Sequence, residues 1–457
     1  MNSHAAGWVA AHSPDTARAG VGVLAAGGNA ADAAAAMTLA ACVAEPLVVS
    51  LLSGMHAIYV SPAGQVHGID GFVDIPSLTS GGRTADTAIV FAAEQVPYTI
   101  GGATFGVPGL VAGCAALSRD HGRLAWSEVV APAADLAPIG VVLSAKDDSL
   151  LEMLEPVMRL GVGTEVYCRE DGSLKGEGDR VVLPGIGQVL DQLAEEGPAS
   201  LYTGALAQEL AAFCAEVGSL VDADDLAAMS ARRHTPPGVR RGRHVVRTRR
   251  GMSPLSDWVA HLDSRGSSEP TVQRLVAVQQ QWVQQATGTT TLAVVDAEGG
   301  ACAVTASLGL GTGDWFHGSQ LNSMLGEVDL QQGPLKARTR MGSMMAPTAV
   351  TDGRDVVAVL GAAGGSRIPS SMLRVIEGMV GQDLSAAEAV ELPRIHRIGQ
   401  TVHVEPHLPD ADQDLLEQAG WEVRRWHTRH HFFGGVSVAS PSGAEGDPRR
   451  GGAALRL

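Results

Sequence analysis

The sequence predicts a mixed α/β fold, and three observations point that way. Ala-rich runs with helical spacing dominate the first half of the 457 residues, and runs rich in β-branched residues dominate the second. Small residues are abundant throughout, with 56 Gly and only 4% aromatics, so closely packed layers are expected. Apolar residues at 45% against 18% charged place the chain among compact globular proteins rather than disordered ones.

In chain order, Ser13-Pro14-Asp15 is a helix start, and the helix over 17–26 closes at Gly27-Gly28. Asn29-Ala30-Ala31-Asp32 opens an Ala-rich helix towards Val43, stopped by Glu45-Pro46. The apolar stretch 31–52 carries Asp32 and Glu45, so it reads as a buried helix rather than a membrane span. Strands are predicted over 55–60 and 65–69 around the turn Ser61-Pro62-Ala63-Gly64. Helices follow over 110–121, 126–140, 186–196, 205–217 and 222–231, with a short strand over 244–248. Residues 250–270 are polar and punctuated by Gly, Pro and Ser, which predicts a linker or loop, and 271–285 reads as a Gln-rich helix. Strands over 290–295 and 302–307, joined by Asp296-Ala297-Glu298-Gly299-Gly300, form a hairpin signal. A strand over 356–360 runs through a Gly-rich turn into a helix over 366–379. Further strands are expected over 402–404, 422–426 and 436–439.

The formal net charge of −16 argues against a nucleic-acid surface and against docking on anionic lipid. The basic stretch 232–250 reads as a solvated strand and loop. Cys42, Cys114, Cys168, Cys214 and Cys302 lack any C-x-x-C pairing, so buried small side chains are expected rather than a disulfide framework or zinc site. His427, His430 and His431 crowd against Arg424, Arg425 and Arg429, which would repel a cation, so no metal is expected there. The run 361–365 lacks the Lys-Ser/Thr ending of a P-loop. The N-terminus shows no basic region followed by an apolar one, and a cytoplasmic location is the default expectation.

Three ordered segments carry a resemblance. They are Gly27-Gly28-Asn29-Ala30-Ala31-Asp32 with Glu45-Pro46; Thr289-Thr290-Thr291 through Asp296, with Thr305-Ala306-Ser307 and 321–327; and Ser343 through Thr348 with Gly364-Gly365-Ser366-Arg367-Ile368. With Phe433-Gly434-Gly435-Val436 and Gly446-Asp447-Pro448-Arg449, they make the chain similar to the γ-glutamyltransferase family across nearly its whole length. The resemblance implies the four-layer αββα sandwich of N-terminal-nucleophile hydrolases, made as a precursor that cuts itself before a Thr. Aligned here, the cut falls between Gly288 and Thr289. It would leave a helix-rich segment 1–288 and a segment 289–457, joined as a heterodimer.

The chemistry explains those residue types. A Thr hydroxyl must lose its proton as it attacks, and a freed α-amine, with an ordinary pKa near 8, can take it. Cleavage before Thr289 would therefore create nucleophile and base together. Gly288 tolerates a strained backbone and leaves its carbonyl open. From local sequence, Gly364-Gly365 is a strand-to-helix turn; by resemblance its N–H groups form the oxyanion hole. The resemblance also assigns Ser307 as the hydroxyl supporting the nucleophile and Ser343 as a contact to the substrate carboxylate. Asn322 lies in the segment leading to an acid that grips the substrate amine. Glu327 is either that acid or an exposed loop carboxylate.

The departures from the family concern recognition. The Arg that would bind the γ-glutamyl α-carboxylate is replaced within Ile69-Asp70-Gly71-Phe72-Val73-Asp74 by Phe72 or Val73, and neither can make an Arg fork. Met344 stands where a second Ser is common, and Thr291 where His is. The substrate is thus expected to be a small acyl or γ-glutamyl-type molecule, with water or an amine as acceptor and no cofactor. Two alternatives are a family relative acting on a non-γ-glutamyl acyl chain, C–C cleavage included, and an unprocessed binding protein.

Overall fold

A computed structural model of the chain describes residues 7–91, 94–264, 269–279, 288–331 and 333–457. Two sheets lie face to face. Their strands, in chain order, are β1 (Trp8–Ala11), β2 (Gly54–Val60), β3 (Val66–Gly71), β4 (Arg232–His234), β5 (Gly238–Arg241), β6 (His244–Thr248), β7 (Gly288–Val295), β8 (Ala301–Gly309), β9 (Thr348–Asp352), β10 (Asp355–Ala363), β11 (Gly435–Ser440), β12 (Gly443–Glu445) and β13 (Ala453–Arg456). The first sheet runs β13-β1-β7-β8-β2-β3-β4 and the second β12-β11-β10-β9-β6-β5. Both sheets take strands from either side of residue 288, so the two predicted segments interleave rather than forming separate lobes.

Alternation along β7 and β8 sets the layers. Ala293, Val295, Ala301 and Ala303 face the second sheet and meet Ala349, Val359 and Ala439. Small side chains keep this interface thin. Thr291 Oγ donates to Val304 O, and a β-carbon on Gly361 would sit 2.1 Å from that hydroxyl. The opposite faces, with Leu292, Val294 and Cys302, are covered by α1 (Pro14–Ala25), α2 (Ala30–Ala44), α3 (Leu110–His121) and α4 (Trp126–Leu136). Every residue of α2 is buried, which its Ala content permits between three helices and a sheet. On the outside of the second sheet lie α5 (Leu255–Ser264) and α6 (Ile368–Ile376). The result is the expected αββα sandwich.

Several motif residues are architectural. Asn29 and Asp32 form a capping box on α2, and Asp296 in the β7–β8 turn accepts the N–H of Ala30 at 2.9 Å. Asp447 is wholly buried, 3.0 Å from both Arg394 and Arg449, and Arg449 also donates to Glu405.

Some expectations need correction. The 250–270 loop contains α5, whose Leu255, Trp258, Val259 and Leu262 are buried at helical spacing. The Gln-rich helix spans Thr271–Val278 and ends at Gln279, and 280–287 lie outside the described residues. The helix over 222–231 covers only Ala223–Ala228, while Arg232 and Arg233 sit exposed in β4, as the solvated-strand reading expects, paired with Asp74 and Asp120. The helix over 126–140 ends at Leu136, and the one over 366–379 splits into a 3-10 turn, α6 and a π turn. All five cysteines are buried without disulfides. Among the described residues no helix is long and apolar enough to cross a membrane.

Candidate active site

The site forms where β7 begins. Gly288 pairs with Gly309 but Thr290 with Ala306, so the register slips at Thr289 and loosens it from the ladder. A β-carbon on Gly288 would lie 2.8 Å from Gly309 O and 3.3 Å from Leu47 O, so only glycine fits. Ser307, on neighbouring β8, donates its hydroxyl to the Gly288 carbonyl and accepts the N–H of Gly309 at 3.1 Å. A hydroxyl bound to the carbonyl before Thr289 polarises the bond that self-cleavage would break.

Thr289 is 2% exposed and lines a small cavity of about 20 Å³. Phe72, Ser307, Ser343, Met344 and Gly365 line the same cavity. Sequence reasoning had singled out all six, and the fold gathers them from five separate segments. Met324, Leu330, Met345 and Ile368 complete the wall; all but Leu330 fall inside the segments that carry the resemblance, but none was expected to line the site. Nothing in their local pattern separates them from ordinary core residues.

Gly364 and Gly365 take φ values of 136° and 56°, in the region that favours glycine, as the chain turns from β10 into α6. A β-carbon on Gly364 would meet Gly434 Cα at 2.8 Å, and one on Gly434 would meet Ala363 O at 2.7 Å. The two glycine pairs, distant in sequence, pack backbone to backbone. Ser343 accepts the N–H of Met345 at 3.2 Å, while Arg249 donates to the Ser343 carbonyl at 2.9 Å and fixes the segment from behind.

Asn322 and Glu327 stand behind this cavity rather than in its wall. The Asn322 amide donates to Leu52 O and Gly106 O and accepts from Gly106 N and Met324 N, all within 3.2 Å. It ties three loops together and holds Met324 in place. Glu327 is 1% exposed, which rules out the exposed-loop alternative. Its carboxylate oxygen lies 3.0 Å from where a Gly309 β-carbon would sit, and burial with nearby Asp329 raises its pKa to about 8.

Phe72 stacks on His56 with ring centroids 5.2 Å apart. Burial, reinforced by Arg249, holds the His56 pKa well below its ordinary value, so the ring is neutral. Phe72 thus rests on an uncharged base and adds only apolar surface to the pocket. On the helix side of β7, Glu45 accepts hydrogen bonds from Thr16 Oγ at 2.7 Å and from Thr290 Oγ. Burial pushes its pKa up to about 7. Among the described residues no group of His, Cys, Asp and Glu is placed to hold a metal ion.

A family model described as Gamma-glutamyltranspeptidase matches residues 16–262 and 255–457. The glutathione hydrolase proenzyme of Escherichia coli (strain K12) is 24% identical over 91% of this chain and 86% of its own. The acylase ACY 1 proenzyme of Pseudomonas sp. (strain V22) is 26% identical over 92% of this chain and 87% of its own. The crystal structure of a cephalosporin acylase from Bacillus halodurans superposes with a TM-score of 0.81 at 20% identity, covering 98% of this chain and 95% of that one. With the family model spanning nearly every residue, this chain belongs to the γ-glutamyltranspeptidase family.

Proposed function

We propose that this self-processing hydrolase or transferase of amide bonds uses Thr289 as its nucleophile and accepts an apolar acyl group rather than γ-glutamyl. The observation that carries the reading is the wall of the Thr289 cavity, formed by Phe72, Met324, Leu330, Met344, Met345 and Ile368. Among the described residues no Arg lines it. An α-carboxylate placed there would lose its hydration without gaining a cation, at a cost of several kcal/mol.

In the proposed cycle, Thr289 Oγ first attacks the Gly288 carbonyl, held by Ser307; the peptide C–N bond breaks as the Gly288 acyl group shifts to Oγ and the hydroxyl proton passes to the departing nitrogen, and water then hydrolyses the ester to leave a Gly288 carboxylate and a free Thr289 amine. Because strands of the two segments interleave in the first sheet, with β1 between β13 and β7 and with β8 paired to β2, the pieces stay joined as a heterodimer. The freed α-amine then takes the hydroxyl proton as Thr289 attacks a substrate amide. N–H groups at Gly364-Gly365 stabilise the oxyanion, the amine leaves, and water or another amine resolves the acyl-enzyme.

The test pairs intact mass of the wild type and Thr289→Ala with turnover of two anilides, one γ-glutamyl and one short-chain fatty acyl. Two fragments meeting at Gly288/Thr289, absent in the variant, with preference for the fatty acyl anilide, is the expected result. An uncut wild type, or preference for the γ-glutamyl anilide, would overturn it.

A further inference from the structure

Thr289 also borders a second cavity, on the helix-covered side of the first sheet. Its volume is about 540 Å³, and it lies between the start of α1, the Glu45–Val48 turn, residues 139–142 and Arg450. We infer that this cavity binds a small carboxylate-bearing molecule, anchored by Arg450, on the side of Thr289 opposite the acyl pocket.

The case rests on unmatched charge. Arg450 makes no ion pair or side-chain hydrogen bond among the described residues, and its Nε is buried without a partner. The nearest acid, Asp447, is already committed. One oxygen accepts from Arg394 and Val436 N and the other from Arg449, each within 3.0 Å. Glu45 likewise spends both oxygens on Thr16 and Thr290. Two other cations of the lining are satisfied, Arg18 by Asp15 and Arg180 by the Ile139 carbonyl. His12, 8% exposed, lines the same cavity, and its Nε2 is buried without a partner. A half-buried guanidinium whose donors have no protein acceptor can take a carboxylate in bidentate fashion. At the mouth, Ile139 and Val142 are 58% and 48% exposed, an apolar rim suited to a short carbon chain. Because Thr289 and Arg450 line the same cavity, a molecule anchored at Arg450 extends towards the reaction centre, as the amine half of the amide would with its carboxylate end at Arg450. That last step rests on the proposed function; the binding site itself does not.

The experiment is calorimetric titration of propionate, with n-propylamine as control, into uncut Thr289→Ala protein, where no catalysis is needed. Saturable binding of propionate but not propylamine is expected. Arg450→Gln should weaken it at least about tenfold, a loss of about 1.4 kcal/mol. Should Arg450→Gln fail to fold, Val142→Glu, which places a like charge at an exposed rim position, should weaken binding with an unchanged Tm. Absence of saturable propionate binding would overturn the inference, as would equal affinity in parent and rim variant. Failure of self-cleavage in the wild type would leave this readout intact, so the two readings fail separately.

Discussion

Glu45→Gln, made in the Thr289→Ala background, tests the electrostatics beneath β7. Burial raises the Glu45 carboxyl from an ordinary 4.5 to about 7 in the native state. A carboxyl raised in this way binds its proton more tightly when folded. The stability it contributes is complete below pH 4.5 and is lost as pH rises through 7. At about 1.4 kcal/mol per pH unit, the gap corresponds to about 3 kcal/mol. Gln cannot titrate and loses at most one of the two accepted hydrogen bonds, costing about 1 kcal/mol. The variant should therefore be about 1 kcal/mol less stable than its parent at pH 4.5 and about 2 kcal/mol more stable at pH 8. Urea denaturation followed by tryptophan fluorescence across that range measures the difference directly. A stability difference that stays flat with pH would refute the reasoning, because it would mean that Glu45 ionises normally in the fold.

Other perturbations probe the site and its supports. Ser307→Ala removes the hydroxyl on the Gly288 carbonyl and should slow self-cleavage about a hundredfold, followed by fragment appearance on denaturing gels. Gly364→Ala forces a β-carbon onto Gly434 at a φ of 136° and should cost about 1–3 kcal/mol along with most of the turnover, read by denaturation and a single-turnover assay. Asp447→Ala strands Arg394 and Arg449 in the interior and should destabilise by about 3–5 kcal/mol, visible as a lowered Tm.

The elements most legible in the sequence were those whose local signals agree. The Ser13 cap, the Asn29–Asp32 capping box and the β7–β8 hairpin each combine a turn or cap residue with a clear period, and the structure has them where that pattern places them. The helix α5 was hidden because Ser, Asp and Pro around residues 253–257 read as loop chemistry. Its four buried apolar residues, at i, i+3, i+4 and i+7, do carry the helical signal. The π turn after α6 has no local signature; it packs against the Ala386–Glu391 helix.

The ordered motifs by themselves determined the family and the sandwich, and they singled out Thr289, Ser307, Ser343 and Gly364-Gly365, of which Thr289, Ser307, Ser343 and Gly365 line one cavity in the structure. Substitution of the expected Arg by Phe72 or Val73 already spoke against a γ-glutamyl pocket. Only the tertiary structure decided that Phe72 is the one in the wall, that four further apolar side chains close it, and that Asn322 is spent on three loops. It alone showed a second cavity behind Thr289 with Arg450 unmatched. These properties depend on which side chains from remote segments converge, and long-range convergence is set by packing rather than by any local pattern.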